Sequence, residues 1–271
     1  MRLLVRSTRS VTLTDAGALY REDARSVLTR LDAATDAARR TSKGETTRLR
    51  LAFVGALLDE QLISILREFR RSHGRCQLHL TDLSPARQLE ALQAGDLDGG
   101  FVGAPPERLD RNLRTIVWKS EPLVLALPAA HRLVREKTLR LASVRDDGWV
   151  MVSREAAPAF RRQFDRLCAS EKFRPRIVQE SERVSAVLTM VAAEQGISLL
   201  PKGVSRLVAH GVNFVALTGR AAHLDHAFAF RAKCPPQEIE DLVSLLSRCE
   251  PPHPSKDRNP QPRSRKRPVF L

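Results

Sequence analysis

Short apolar segments alternate with helical stripes along most of this chain, and this alternation restricts the fold more than any other feature. Residues 49–54, 77–83 and 99–103 are strand-like, and the segments between them carry apolar side chains at helical spacing. Ser84 and Pro85 are a typical N-cap and first residue for the second of these helices. Because strands that alternate with helices form parallel sheets covered by helices, the pattern predicts an α/β fold.

The same pattern starts again in the second half of the chain. Strands are predicted over residues 113–118, 123–127, 149–152, 176–179, 197–200 and 226–231. Helices are predicted over residues 158–170, 184–196 and 237–249. Two similar α/β halves in a chain of 271 residues predict two lobes with a cleft between them.

The first residues of the chain predict a basic hairpin that leads into a long helix. Val5 and residues 11–13 are strand-like and enclose a polar, positively charged tip, and Thr14 can N-cap the helix. Such a hairpin suits a winged DNA-binding element, whose Arg and hydroxyl groups contact phosphates. An ordinary surface hairpin is the alternative on shape alone.

The helix after this hairpin has no Pro between Asp15 and about Thr41, and its narrow apolar stripe includes Val27 and Leu31. At 1.5 Å per residue it is roughly 40 Å long, which its own domain would have difficulty covering. A partner helix covers the stripe more simply, so we expect self-association as a dimer or tetramer. Packing of the helix on its own domain is the alternative.

The chain is strongly basic, with a formal net charge of +14 at pH 7. This charge favours a polyanionic partner such as DNA, although codon bias explains the many arginines equally well. Residues 251–271 are rich in Pro and basic side chains and are predicted to form a disordered tail. No apolar run approaches the roughly 20 residues of a membrane span, and the first residues lack a secretory signal. We therefore expect a cytoplasmic protein without a membrane partner.

The sequence has no arrangement typical of a metal centre, a cofactor site or a catalytic centre. The four cysteines are far apart and form no CxxC pair. His223 and His226 are close in sequence but lead into a strand, so their side chains are expected to point in different directions. Nucleophile motifs and phosphate-binding loops are missing as well. We therefore expect neither an enzyme nor a bound metal or cofactor.

Four segments of the chain resemble LysR-type transcriptional regulators in residue type, order and spacing. They are LLVRSTRSVTLTDAG at residues 3–17, LQAGDLD at 92–98, EPLVLALP at 121–128 and VAAEQGISLLP at 191–201. The resemblance implies a two-lobed α/β effector domain, built like periplasmic solute-binding proteins and preceded by a long linker helix and a remnant of a winged helix-turn-helix. It also implies a regulator that senses a small molecule and controls transcription through DNA binding.

The resemblance places the effector between the lobes, at the strand ends where helix N-termini offer free N–H groups. Ala56 and Pro85 stand where members that sense aromatic acids often carry hydroxyl groups, which argues against a simple carboxylate effector. Pro158 and Phe160 match the apolar wall of that branch, so an aromatic or apolar effector is expected. The implied effector-binding residues are Gly55, Ala56, Ser84, Pro85, Ser153, Pro158, Phe160 and Glu180.

The resemblance also assigns the hairpin to a DNA-binding wing, with contacts from Arg6, Thr8, Arg9 and Ser10. Base readout would be performed by a recognition helix, which we expect to precede Met1 and to be missing here. The implied regulator is then N-terminally truncated, with impaired DNA binding. The alternative is an effector-sensing or oligomerisation module without sequence-specific DNA binding. The lack of a signal peptide disfavours a transport-type solute-binding protein.

These expectations divide the chain into six parts. They are a remnant wing (1–13), a linker or dimerisation helix (14–43), effector lobe I (47–118), effector lobe II (119–224), a return to lobe I (225–250) and the basic tail (251–271).

Overall fold

The computed structural model describes the N-terminal hairpin, part of the following helix and most of the two lobes. The described residues are 1–6, 11–21, 24, 27, 31, 35, 47–57, 59–207, 210–218, 223–233 and 235–248. Three predicted DNA-contacting residues (Thr8, Arg9 and Ser10), most of the predicted linker helix and its hinge, and the basic tail lie outside the described residues.

The predicted N-terminal hairpin and its helix cap are confirmed. Strand β1 (Leu4–Arg6) pairs antiparallel with β2 (Val11–Leu13). Helix α1 covers residues 15–21, and residues 24, 27, 31 and 35 are helical as well. Thr14 caps α1, because its Oγ1 accepts a hydrogen bond of 2.9 Å from the backbone N–H of Gly17. The cap joins hairpin and helix, since the Thr14 hydroxyl also donates to the Arg2 carbonyl.

Lobe I is built on a sheet with strand order β4-β3-β5-β12-β6. The first three strands are mutually parallel, as the sequence predicted, whereas β12 runs antiparallel to both of its neighbours. Helices α2 and α6 cover one face of this sheet, and α3 covers the other. The element bounds are β3 (Thr47–Phe53), α2 (Glu60–Ser72), β4 (Cys76–Asp82), α3 (Pro85–Ala94), β5 (Gly99–Gly103), β6 (Leu113–Pro128), β12 (His223–Arg231) and α6 (Gln237–Ser247).

The helix boundaries follow from local chemistry. Asp59 caps α2 by accepting a hydrogen bond from the Leu62 backbone N–H. Helix α3 starts with Ser84 as N-cap and Pro85 as its first residue, as predicted, although the Ser84 side chain makes no capping hydrogen bond. Gly95 ends α3 in the left-handed conformation, with φ of 83°, which glycine adopts without strain.

Strand β6 is one continuous strand, and the prediction of two separate strands was wrong. Residues 113–122 pair with β12 in lobe I, and residues 123–128 pair with β10 and β11 in lobe II. Lys119 and Glu121 interrupt the apolar pattern of the sequence, but they form an ion pair with each other, and Lys119 forms a second one with Asp59 at the start of α2. The strand therefore joins the two lobes through a segment that looks like a loop in sequence.

Lobe II contains the other half of the sheet and the pair β8-β9. Strands β10 and β11 both pair with β6, and β7 lies next to β11. A bridge between Trp149 and Ile197 connects β8 to the segment before β10. The element bounds are β7 (Thr138–Leu139), β8 (Gly148–Val152), α4 (Pro158–Ser170), β9 (Arg176–Ser181), α5 (Val184–Ala192), β10 (Ser198–Pro201) and β11 (Val212–Leu217).

Three features of lobe II differ from the sequence predictions. Strands β7 and β11 were not predicted. Helix α5 ends at Ala192 rather than at Gly196, because the chain turns before Gly196 to approach β8. A Cβ on Gly196 would lie 2.6 Å from the Gly148 carbonyl oxygen, so this close approach requires glycine. Among the described residues, no helix is long and apolar enough to cross a membrane.

Candidate functional site

A cavity of about 430 Å³ lies between the two lobes, and most of its walls are apolar. The carboxyl ends of lobe I strands and the N-termini of α3 and α4 meet there, which is the usual ligand position in open α/β sheets. Its apolar lining comes from both lobes and includes Val54, Ala56, Leu57, Pro85, Leu89, Val102, Val152, Ala157, Pro158, Ala159, Phe160, Val184 and Leu224.

Four of the predicted effector-binding residues line this cavity. Ala56 and Pro85 belong to lobe I, whereas Pro158 and Phe160 belong to the first turn of α4 in lobe II. Phe160 is 8% exposed, so its ring is almost wholly packed within the protein. The structure thus brings these four residues together from separate parts of the chain.

The other four predicted residues lie outside the lining of the cavity. The Gly55 backbone N–H donates to Asp82 Oδ1 over 3.2 Å. Ser84 sits at the N-cap of α3, and Ser153 Oγ accepts a hydrogen bond from the Ala156 backbone N–H. Glu180 forms an ion pair with the buried Arg161. Each of these groups serves a local contact, so sequence position near a strand end did not suffice to place it in the cavity.

Contacts between the lobes surround the cavity. On one side, Asp82 of lobe I forms an ion pair of 2.9 Å with Arg183 of lobe II. Next to it, the Ala86 backbone N–H donates to the Ala156 carbonyl over 3.1 Å. On the other side, Glu107 of lobe I forms ion pairs of 2.9 Å and 2.8 Å with two arginines of α4, Arg162 and Arg166. The lobes are therefore held together on both sides of the cavity.

A buried polar cluster lies below the cavity, where β6 and β12 cross between the lobes. His226 is fully buried, lines the cavity and places its Nε2 2.6 Å from Glu121 Oε1. Lys119 forms ion pairs with Glu121 and with Asp59, the residue that caps α2. Glu121 also accepts a hydrogen bond of 2.6 Å from the Gly203 backbone N–H. The cluster therefore ties lobe I elements to the first residues after β10 in lobe II.

The Glu121 carboxyl is ionised in this cluster. Burial alone would raise its pKa, but the hydrogen bond and charge of His226, the charge of Lys119 and the Gly203 N–H together lower the pKa below its ordinary value. A carboxylate only accepts hydrogen bonds, so the His226 Nε2 carries a hydrogen and donates a hydrogen bond to Glu121. The other ring nitrogen, Nδ1, is buried without a hydrogen-bond partner.

This cluster was missed by sequence reasoning, which considered His226 only as a metal ligand beside His223. His223 is exposed and His226 is buried, which agrees with the expectation that they point in different directions. The signal that could have revealed the cluster is the Lys119 and Glu121 alternation inside an apolar strand. Among the residues that the structure describes, no group of three His, Cys, Asp or Glu side chains could hold a metal ion.

Known proteins of similar sequence and structure point to one family. The LysR substrate binding domain model matches residues 42–249. The chain is 31% identical over 229 residues to the HTH-type transcriptional regulator AlsR of Bacillus subtilis, covering 84% of this chain and 75% of AlsR.

Two solved structures have the same fold. Full-length CbnR complexed with its target DNA aligns with a TM-score of 0.69 at 25% identity, covering 88% of this chain and 82% of CbnR. The BenM effector binding domain with its effector benzoate aligns with a TM-score of 0.64 at 24% identity, covering 75% of this chain and 91% of that domain. From the family match and the relationship to AlsR, the chain belongs to the LysR family of transcriptional regulators and carries its effector-binding domain.

Proposed function

We propose that the cavity between the lobes binds a small aromatic or apolar effector and that this binding controls transcription through DNA. The observation that carries the proposal is the 430 Å³ cavity, whose apolar walls come from both lobes. Its size suits a small organic ligand, and apolar walls with few polar groups are typical of ligand sites. The effector benzoate in the similar BenM domain supports a cyclic, partly apolar ligand.

Effector binding acts on the arrangement of the lobes in this proposal. The ligand contacts α4 in lobe II and the strand ends of lobe I at once, so it stabilises one relative position of the lobes over others. The ion pairs of Asp82 with Arg183 and of Glu107 with Arg162 depend on the same relative position. The ligand and these ion pairs are therefore thermodynamically coupled.

The N-terminal hairpin and helix α1 supply the DNA-binding and self-association part of the proposal. The hairpin, with Arg6 at the end of β1, acts as a wing that contacts DNA phosphates. Tyr20, Val27 and Leu31 of the helix are each more than half exposed and pack against a second copy of the chain. CbnR, a structural relative, is solved with its target DNA, which supports a DNA partner.

The 271 residues by themselves bind DNA weakly and without sequence selectivity in this proposal, because phosphate contacts carry little sequence information. A fluorescence anisotropy titration against two unrelated duplexes of equal length tests this. We expect similar affinities for both duplexes and a steep loss of affinity between 50 and 200 mM salt. Salt-resistant binding to one duplex alone would contradict this part of the proposal.

The proposal that the effector binds in this cavity is tested by a substitution that fills the cavity with a larger side chain. Ala159 lines the cavity from α4, and Ala169 is an exposed residue of the same helix. We expect calorimetric titration to detect binding of a naphthalene-sized aromatic probe to the unmodified chain and to Ala169→Trp, but not to Ala159→Trp. At about 100 times the dissociation constant, binding should raise the melting temperature by about 5–10 °C. Equal binding to all three proteins would show that the effector site lies elsewhere.

A further inference from the structure

We infer that the effector is a monoanion whose single carboxylate binds to lobe II, at the N-terminus of α4, while its apolar end packs against lobe I. The inference deepens the proposed function and rests on it, because it concerns the ligand of the same cavity. It depends on two observations within the described residues. Buried N–H groups at the start of α4 have no acceptor, and Arg108 lines the cavity without an ion pair.

Helix α4 begins at the wall of the cavity, and the chain does not cap it. Its N-cap residue, Ala157, has no side-chain acceptor, and the first turn contains no acidic residue. Pro158 has no N–H, so the donors at this end are the N–H groups of Ala159 and Phe160, which both line the cavity. Neither N–H is bonded to an acceptor among the residues that the structure describes.

These donors lie in a part of the protein that is largely closed to water. Ala157 is 6% exposed and Phe160 is 8% exposed. Buried backbone N–H groups without a partner are rare in folded proteins. The N-terminus of a helix also carries a partial positive charge, which favours an anion. A carboxylate of the effector therefore supplies the acceptor that the chain itself does not.

The charged side chains of the cavity lining leave a positive charge for this carboxylate. Glu107 is paired with two arginines of α4, and Glu182 lies 3.6 Å from Arg87. Arg108, in the lobe I loop between β5 and β6, also lines the cavity and forms no ion pair with the described residues. Its guanidinium is exposed, so water screens its charge. We therefore assign the larger share of the binding to the α4 N–H groups and the smaller share to Arg108.

The lobe I end of the cavity is less suited to an anion. Ala56 and Pro85 bring no hydroxyl group, and the Ala86 N–H is already bonded to a carbonyl of lobe II. The Ala56 N–H is a single donor, and the neighbouring Gly55 N–H is bonded to the Asp82 carboxylate, whose charge repels an anion. A second carboxylate at this end would lose its hydration against apolar side chains. The missing hydroxyl groups thus disfavour a carboxylate at lobe I only.

A matched set of ligands tests the inference on the intact chain. The set is 2-naphthoate, 2-naphthamide and naphthalene-2,6-dicarboxylate, which share one ring system and differ in charge at one or both ends. Isothermal titration at pH 7.5 should give about tenfold tighter binding of 2-naphthoate than of 2-naphthamide, because hydrogen bonds to a charged acceptor are the stronger ones. The dicarboxylate should bind about tenfold more weakly than 2-naphthoate. Binding of either other ligand as tightly as 2-naphthoate would overturn the inference.

A cap supplied by the chain tests the place of the carboxylate. In Ala157→Asp, the new side chain accepts a hydrogen bond from the first turn of α4 and repels a ligand anion. The ratio of the 2-naphthoate affinity to the 2-naphthamide affinity should fall from about ten to about one or below. Both ligands have nearly the same shape, so this ratio does not depend on cavity size. Ala157→Leu, which adds a side chain of similar size without an acceptor, should keep the ratio. An unchanged ratio in Ala157→Asp would refute the assignment to α4.

The substitution Arg108→Gln tests the contribution from lobe I. The affinity for 2-naphthoate should fall about threefold, since an exposed charge contributes modestly, and the affinity for 2-naphthamide should stay unchanged. Arg111→Gln is the matched control, because Arg111 is an exposed residue of the same loop that does not line the cavity. Equal effects of the two variants on 2-naphthoate would refute the contact between Arg108 and the effector.

The same ligands separate this inference from the proposed function. Failure of all three ligands to bind the unmodified chain would refute the proposed function, and this inference with it. Equal binding of 2-naphthoate and 2-naphthamide, with both lost in Ala159→Trp, would refute the inference alone and leave the proposed function supported.

Discussion

The substitution Glu121→Gln tests the buried cluster that joins the two lobes. Glu121 is 7% exposed and accepts hydrogen bonds from His226, Lys119 and the Gly203 N–H. Glutamine has nearly the same shape, but it removes the negative charge that faces the Lys119 ammonium group and the His226 ring N–H. Breaking a buried ion pair on one side typically costs about 3–5 kcal/mol. Because Lys119 keeps its pair with Asp59, we expect the lower end, about 3 kcal/mol.

Urea unfolding followed by tryptophan fluorescence measures this loss. Trp118 is buried in lobe I and Trp149 in lobe II, so each lobe contains its own reporter. The loss corresponds to a decrease in melting temperature of about 6–12 °C. The control is Glu107→Gln, which breaks partly exposed ion pairs and should cost less than about 1 kcal/mol. If Glu121→Gln were as stable as Glu107→Gln, the cluster would not contribute to stability as described.

The effect of Glu121→Gln on the free energy of unfolding should depend on pH. The pKa of Glu121 is lower in the folded chain than its ordinary value of 4.5. The carboxylate therefore stabilises the folded state fully above pH 4.5, and this contribution is lost as the pH falls through the lower folded-state pKa. The difference in unfolding free energy between the unmodified chain and Glu121→Gln should be constant at neutral pH and shrink below about pH 4.5. A difference that grows with acidity would refute the assignment.

Three further predictions concern the wing, the cleft and self-association. Gly17→Ala places a Cβ against the Leu3 backbone carbonyl just before the hairpin, so duplex binding by anisotropy should weaken while effector titrations stay unchanged. Asp82→Ala removes the ion pair with Arg183 to which effector binding is coupled, and calorimetry with the naphthalene-sized aromatic probe should show binding weakened by up to about fivefold, since exposed ion pairs contribute less than about 1 kcal/mol. Leu31→Asp puts a charge on the exposed stripe, and sedimentation should show a shift toward monomer; an unchanged oligomer would contradict the proposed interface.

Most secondary structure elements followed from the sequence because local signals agreed with the final packing. The helix Pro158–Ser170 has its predicted bounds, since Pro at its first position and its apolar spacing act within the segment itself. The wrong secondary structure predictions occur where contacts between residues distant in sequence determine whether a segment forms a strand. Strand β6 passes through Lys119 and Glu121, whose polar side chains find their partners, Asp59 and His226, only in the fold. Strand β11 pairs with β6 across a sequence separation that no local pattern reports.

The sequence by itself determined the two α/β halves and the basic hairpin capped onto a helix, and its resemblance to LysR-type regulators implied an apolar cleft wall at Pro158 and Phe160. Periodicity and capping are local properties, so they can be read without a structure. Only the tertiary structure decided which groups face the cleft. In the folded chain, the Gly55 N–H donates a hydrogen bond to Asp82. His226 lies beside the cavity, on the strand that crosses between the lobes. These pairings join residues that lie up to 105 positions apart, because long-range sheet register sets them rather than local sequence.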